Sequence, residues 1–149
     1  MGGTKMNRLW VSATIVLMCS GALGSGKTDD HPAANPLSQI NFAVDEDVKC
    51  FSYAVETGDP DHGPSTMILK AKPHCAYPWH YHTAQEQLMV VRGEVLTEME
   101  NAPAAKLGPG GFAFMLSKQK HKFGCEADEE CLMFVTFDRA YDIFWGAPR

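Results

Sequence analysis

The stretch Pro78-Trp79-His80-Tyr81-His82-Thr83-Ala84-Gln85-Glu86 gathers two imidazoles and a carboxylate within seven residues. On a β-strand alternate side chains share a face, so His80 and His82 point the same way. Glu86 has the same parity, and a short bend between them would swing it back toward the two rings. Two histidines and one carboxylate on an inner surface supply three ligands for a divalent transition metal, and iron, manganese, nickel and zinc all accept such donors. A fourth must come from another strand, and His121, which follows Lys118-Gln119-Lys120 and opens His121-Lys122-Phe123-Gly124-Cys125, is the candidate. The alternative is a metal-free cluster of buried polar groups, an awkward resting state because unpaired buried imidazoles and carboxylates are costly. His31, His62 and His74 lie in or near polar loops without partners at ligand spacing and read as solvated. No Ser/His/Asp or Cys/His nucleophile arrangement stands out, and no C-x-x-C spacing suggests a structural zinc.

The elements that must position these residues read as short strands. Segments 49–55, 67–71, 87–91, 93–99, 111–116, 121–125 and 131–137 are apolar or alternating, and turn signals such as Gly58-Asp59-Pro60-Asp61, Asn101-Ala102-Pro103 and Gly108-Pro109-Gly110-Gly111 separate them. Alternation is clearest in Glu94-Val95-Leu96-Thr97-Glu98-Met99-Glu100, with glutamates on one face and Val95, Thr97 and Met99 on the other, as in a strand wet on one side. Helical periodicity is weak after the N-terminal region, so the fold class is all-β, a sandwich or barrel. Trp79 and Tyr81 have the opposite parity to the ligands and should pack behind the site or at a dimer interface. Phe112, Phe114, Phe123, Met133 and Phe137 are candidates for a cavity wall or for ordinary core.

These residues resemble a known family. His80-x-His82, three residues, Glu86, six residues and Gly93 are similar to the first signature motif of the cupins. Leu107-Gly108-Pro109-Gly110-Gly111, with His121 ten residues beyond, is similar to the second. The resemblance runs from Met67 to Phe137 and points to small exported bacterial cupins. It implies a single double-stranded β-helix (a jelly-roll barrel) with a six-coordinate metal held by His80, His82, Glu86 and His121. It further implies open positions for water, oxygen or a bidentate substrate, and favours iron or manganese. Three positions depart from the pattern: His74 stands where the first motif begins with glycine, and Leu116 and Lys118 replace the proline and glycine that usually precede the second-motif histidine. The turn before His121 is therefore expected to be less rigid.

Length and composition bound the rest. The chain has 149 residues, 45% of them hydrophobic and 21% charged, enough for one domain with a real core and too apolar for disorder. Its formal charge is -5 with no basic cluster beyond the first residues, which argues against a nucleic-acid partner. Lys5 and Arg8 followed by an apolar run from Leu9 to Cys19 and the small residues 20–24 form a secretory signal pattern, cleaved after Ala22 or Gly24. A retained anchor is the alternative. The expected organisation is signal peptide 1–24, polar linker 25–39 and barrel 40–149, secreted or periplasmic and off the membrane after cleavage. Gly21 to Thr28 fits the phosphate-loop pattern G-x-x-x-x-G-K-[ST], but it straddles the cleavage site, precedes Asp29-Asp30-His31-Pro32 and opens no α/β unit, so we read it as coincidence.

Export leaves Cys50, Cys75, Cys125 and Cys131, an even number in an oxidising compartment. Cys125 and Cys131 flank a five-residue polar loop and could face each other in a hairpin, leaving Cys50 with Cys75 by elimination. Four buried free thiols are the alternative. The expected function is a metal-dependent enzyme of dioxygenase, isomerase or lyase type acting on a small organic molecule, with Glu86 a base if it loosens from the metal. A non-catalytic metal- or ligand-binding protein is the other reading, and a homodimer is expected from the family alone.

Overall fold

The structure, a computed structural model, describes residues 33–148. The expected signal peptide and the phosphate-loop-like segment lie outside the described residues, and the described part of the expected linker, 33–39, is exposed. After a 3-10 turn at Leu37–Gln39 the described residues form eleven strands. They are β1 Ala43–Val44, β2 Phe51–Gly58, β3 Ser65–Ala71, β4 Ala76–Tyr81, β5 Glu86–Arg92 and β6 Val95–Met99. The remainder are β7 Ala105–Leu107, β8 Phe112–Met115, β9 His121–Cys125, β10 Cys131–Phe137 and β11 Phe144–Trp145. Two antiparallel sheets result, ordered β1-β2-β3-β10-β5-β8 and β11-β4-β9-β6-β7. Consecutive strands repeatedly switch sheets, as jelly-roll winding requires. The all-β reading holds, with β9 and β10 bounded as the sequence indicates and the short β1, β7 and β11 unmarked by any pattern.

Alternation explains how the core fills. In β3 Ser65, Met67, Leu69 and Ala71 are buried, and in β5 Glu86, Leu88 and Val90. In β6 Val95 and Thr97 turn inward while Glu98 turns out to pair with Lys122 at 2.8 Å. The inner faces of both sheets merge in one cluster around Phe51, Leu88, Met115, Phe123, Met133 and Val135. Glycine is required at two close approaches. Gly93, between β5 and β6, has φ +87°, and a Cβ there would lie 2.5 Å from the Cys131 sulfur. At Gly124 a Cβ would meet that of Ala76 on β4 at 2.7 Å.

Both cysteine pairs form disulfides, Cys50–Cys75 and Cys125–Cys131, with Cα separations of 5.9 and 5.7 Å. The expected hairpin between 125 and 131 is absent. β9 and β10 belong to different sheets, so that bridge clips one layer of the barrel to the other. Two of the aromatic candidates are also corrected. Phe123, Met133 and Phe137 are buried, but Phe112 and Phe114 are 56% and 43% exposed. β8 alternates with Ala113 and Met115 inward, so its phenylalanines occupy the outer face beside Met89 and Phe134.

Candidate metal centre

Four polar side chains are buried together inside the barrel, His80, His82, Glu86 and His121, and the first three of them line its cavity. Each offers one ligand atom, and these atoms lie within 4.8 Å of one another. They arrive from both sheets. His80 is near the end of β4, His82 just past it, and His121 opens β9 directly opposite His80 in the ladder. Glu86 opens β5 in the facing sheet, so the bend that turns it toward the imidazoles is also the crossover between layers.

That bend is fastened by side chains. The Thr83 amide and hydroxyl donate to the Asp142 carboxylate at 2.7 and 2.6 Å, and the Gln85 amide donates to Asp138 at 2.8 Å. Ser117 Oγ donates to the Thr83 carbonyl at 2.7 Å, and the Lys118 amide donates to the His82 carbonyl, also at 2.7 Å. Lys118 takes the left-handed conformation, φ +63°, that the missing glycine would have adopted. Gln119 supplies the fastening, its side-chain oxygen accepting from the Leu116 amide at 3.0 Å. His74, the other departure, is likewise left-handed at φ +57° and pairs with Asp128 at the surface. His62 is exposed as well, pairing with Asp59.

The ring orientations decide what the cluster can hold. Nδ1 of His80 faces the Pro78 carbonyl at 2.6 Å, Nδ1 of His121 the Gln119 carbonyl at 2.8 Å, and Nδ1 of His82 the Asp142 carbonyl. A carbonyl only accepts, so each Nδ1 carries the hydrogen and each neutral ring keeps its lone pair on Nε2. Two of those nitrogens face Glu86 Oε2, at 3.3 Å for His82 and 3.1 Å for His121. Lone pairs therefore converge on one buried point, and only a cation there, a proton or a metal ion, satisfies them together.

The electrostatics follow. Burial, reinforced by the charge of His121, lowers His80 to about 4. Burial alone would raise Glu86, but hydrogen bonding with His121 and then His82 outweighs it and holds the carboxylate well below its usual range. Burial also opposes charge on His82, yet the partnership with Glu86 wins and raises it. Three imidazoles and an ionised carboxylate are a donor set that divalent transition ions accept, so these residues fit such a metal.

Above them opens a cavity of about 590 Å³. Met67, Leu69, Val135 and Phe137 line it, together with Tyr53, Tyr77 and Tyr141. Burial raises the Tyr77 phenol far above its normal value, and so, secondarily, does its hydrogen bond to Asp45, to whose Oδ2 it donates. Burial and then the charge of Glu86 raise Tyr141. Strand parity misses Tyr77, which should face outward with Trp79 and Tyr81. A bulge in the β4–β9 ladder between Tyr77 and His80 turns both inward. The only cue is Pro78, a residue that cannot donate to the ladder and so favours an irregularity. Trp79 and Tyr81 are half-buried: Tyr81 stacks on Phe144 at 5.0 Å, and Lys122 sits 5.6 Å above Trp79.

A match to the cupin domain family, Cupin_2, spans residues 67–137. The barrel has the cupin fold. No curated protein matches the chain. Among solved structures, this chain is similar to a chain from the crystal structures of the DMSP lyases RdDddP and RnDddQII, at 22% identity and TM-score 0.61. That match covers 73% of this chain and 63% of the other, so the chain spans under two thirds of the lyase. It is also similar to the polyketide cyclase RemF from Streptomyces resistomycificus, at 13% identity and TM-score 0.68, covering 80% and 88% of the two chains. A sugar phosphate isomerase of the cupin superfamily from Silicibacter pomeroyi aligns at 15% identity and TM-score 0.62, covering 78% and 83%. At these identities the likeness concerns the fold.

Proposed function

We propose that this cupin-fold protein is an exported metal-dependent enzyme acting on a small organic molecule that chelates the metal. The observation that carries the reading is the convergence of lone pairs from His80, His82, His121 and Glu86, three of which line a cavity of about 590 Å³. A divalent ion there would act as a Lewis acid on a bound carbonyl, carboxylate or enolate. The chain's own residues do the rest. Met67, Leu69, Val135 and Phe137 form apolar walls, and Tyr141, held protonated, offers a hydroxyl donor beside the site, whereas Tyr77, whose hydrogen goes to Asp45, presents only an acceptor oxygen. Glu86 sits between two imidazoles with its proton affinity depressed, which suits it to holding a cation; it would act as a base only after leaving that position. Enzymes among the structural neighbours, a lyase, a cyclase and an isomerase, support a catalytic use of the barrel. Export is supported by the two disulfides, which persist in oxidising compartments.

Elemental analysis of tag-free protein beside a His82→Ala variant tests the proposal. About one iron or manganese per wild-type chain and none in the variant is expected. Oxygen uptake and product formation with panels of diketones, thiols and phenols follow. A wild type that takes up no transition metal after incubation with each overturns the reading. Stoichiometric metal with no turnover of any panel member favours a binding protein.

A further inference from the structure

The charges around the cavity are arranged by sign. Among the described residues that line it there is no lysine or arginine. Apart from Glu86, its charged side chains are Asp45, Glu46, Asp47 and Asp61, all acidic. Glu46, Asp47 and Asp61 are exposed whereas His80, His82 and Glu86 are buried, so the carboxylates form a collar at the mouth and the candidate ligands lie at the floor. The collar is built in. Asp45 Oδ1 accepts from the amides of Asp47 and Val48 at 2.9 and 2.7 Å, and Tyr77 donates to its other oxygen, which ties residues 45–48 across the opening. The Cys50–Cys75 disulfide anchors the same segment just downstream.

A divalent ion held by three neutral imidazoles and one carboxylate leaves the floor net positive, so the cavity has a positive floor and a negative mouth. The rings of Tyr53, Tyr77 and Tyr141 line the same cavity, Tyr77 5.5 Å from the His80 ring and hydrogen-bonded to Asp45, and Tyr141 5.2 Å from the His82 ring. Aromatic faces together with nearby carboxylates favour a cation whose charge is spread over methyl groups. A second anionic group at the far end of a ligand would meet the collar instead. Resting on the metal-site reading above, we infer that this cavity takes a small molecule with an oxygen-donor head at the metal and a cationic, onium-type tail at the mouth, and disfavours dianions such as dicarboxylates and sugar phosphates.

Two probes of nearly the same shape isolate the charge: trimethylammonioacetate and its carbon isostere 3,3-dimethylbutanoate. Each is titrated calorimetrically into zinc-loaded protein, wild type and an E46Q/D47N variant, with succinate as the dianion. Both substituted positions are exposed, and unchanged zinc stoichiometry and circular dichroism show that the variant is intact. The measured quantity is the affinity ratio of the onium ligand to its isostere, which cancels their different intrinsic affinities for zinc. Two carboxylates acting through partly solvated space make this ratio fall about five- to tenfold in the variant, while succinate binding improves. Raising the salt to screen the collar lowers the wild-type ratio in the same direction. A ratio that stays within about twofold between wild type and variant, or zinc-loaded protein that binds neither probe, overturns the inference with the metal site intact. Failure to bind zinc at all overturns the metal-site reading beneath it, and the stoichiometry reports that separately.

Discussion

Glu86→Gln separates a metal site from a buried ion-pair cluster, because the two accounts demand opposite behaviour from the metal-free protein. Glu86 is 2% exposed, and its Oε2 lies 3.1 Å from His121 Nε2 and 3.3 Å from His82 Nε2. If the three imidazoles stay neutral when metal-free, their Nε2 lone pairs face the carboxylate unsatisfied and the carboxylate is a burden. A glutamine amide could then donate to one Nε2, and the metal-free variant should match or exceed the metal-free wild type by about 0.5–1.5 kcal/mol. If instead a protonated histidine and Glu86 form a permanent buried pair, removing one partner should cost about 3–5 kcal/mol. With metal the order reverses. At a free metal concentration about one hundred times Kd, binding adds about 2.7 kcal/mol to wild-type stability. For a domain of this size that raises Tm by about 11 °C, taking about 4 °C per kcal/mol. Exchanging the only anionic ligand for a neutral one should weaken affinity by at least about one hundredfold, which leaves about 0.4 kcal/mol and a rise near 2 °C. Differential scanning calorimetry with chelator and with added manganese or zinc measures all four values. A variant that keeps the full metal-induced rise, or one that collapses when metal-free, refutes the reasoning.

Two further outcomes are expected. Tyr77 has a folded-state pKa raised above that of an unfolded tyrosine, so its stabilising contribution is complete below about pH 10 and is lost as pH rises beyond it. Y77F should therefore cost about 1–2 kcal/mol at neutral pH through the lost bond to Asp45, yet flatten the fall of stability above pH 10 in urea unfolding; an unchanged alkaline slope would contradict a buried, protonated phenol. The two disulfides close loops of 25 and 6 residues, and chain entropy assigns them about 3.5 and 2.2 kcal/mol. The C50S/C75S variant should accordingly lower the urea midpoint more than C125S/C131S, and the reverse order would show that the inter-sheet clip matters more than loop closure.

The chemistry of the site was legible because metal ligation constrains residue type and local spacing together. His80, His82 and Glu86 lie within one short stretch, and strand parity alone brings the two imidazoles to one face. The alternation of Glu94 to Glu100 and the even cysteine count were legible for the same reason: a strand's period and a disulfide's parity are local or countable properties. What tertiary structure decided is whatever depends on which sheet a strand joins. Cys125 and Cys131 pair across layers and not within a hairpin, and Phe112 and Phe114 face solvent because β8 turns Ala113 and Met115 inward. Parity placed Tyr77 outside, and a bulge beside Pro78 placed it within. The acidic collar and the 590 Å³ cavity have no signature in sequence, because residues 41–47, 53–55, 60–61, 67–69 and 135–143 meet there only when the barrel closes. The ligand types are a property of the chain, whereas the space and the field in which a substrate would sit belong to the fold.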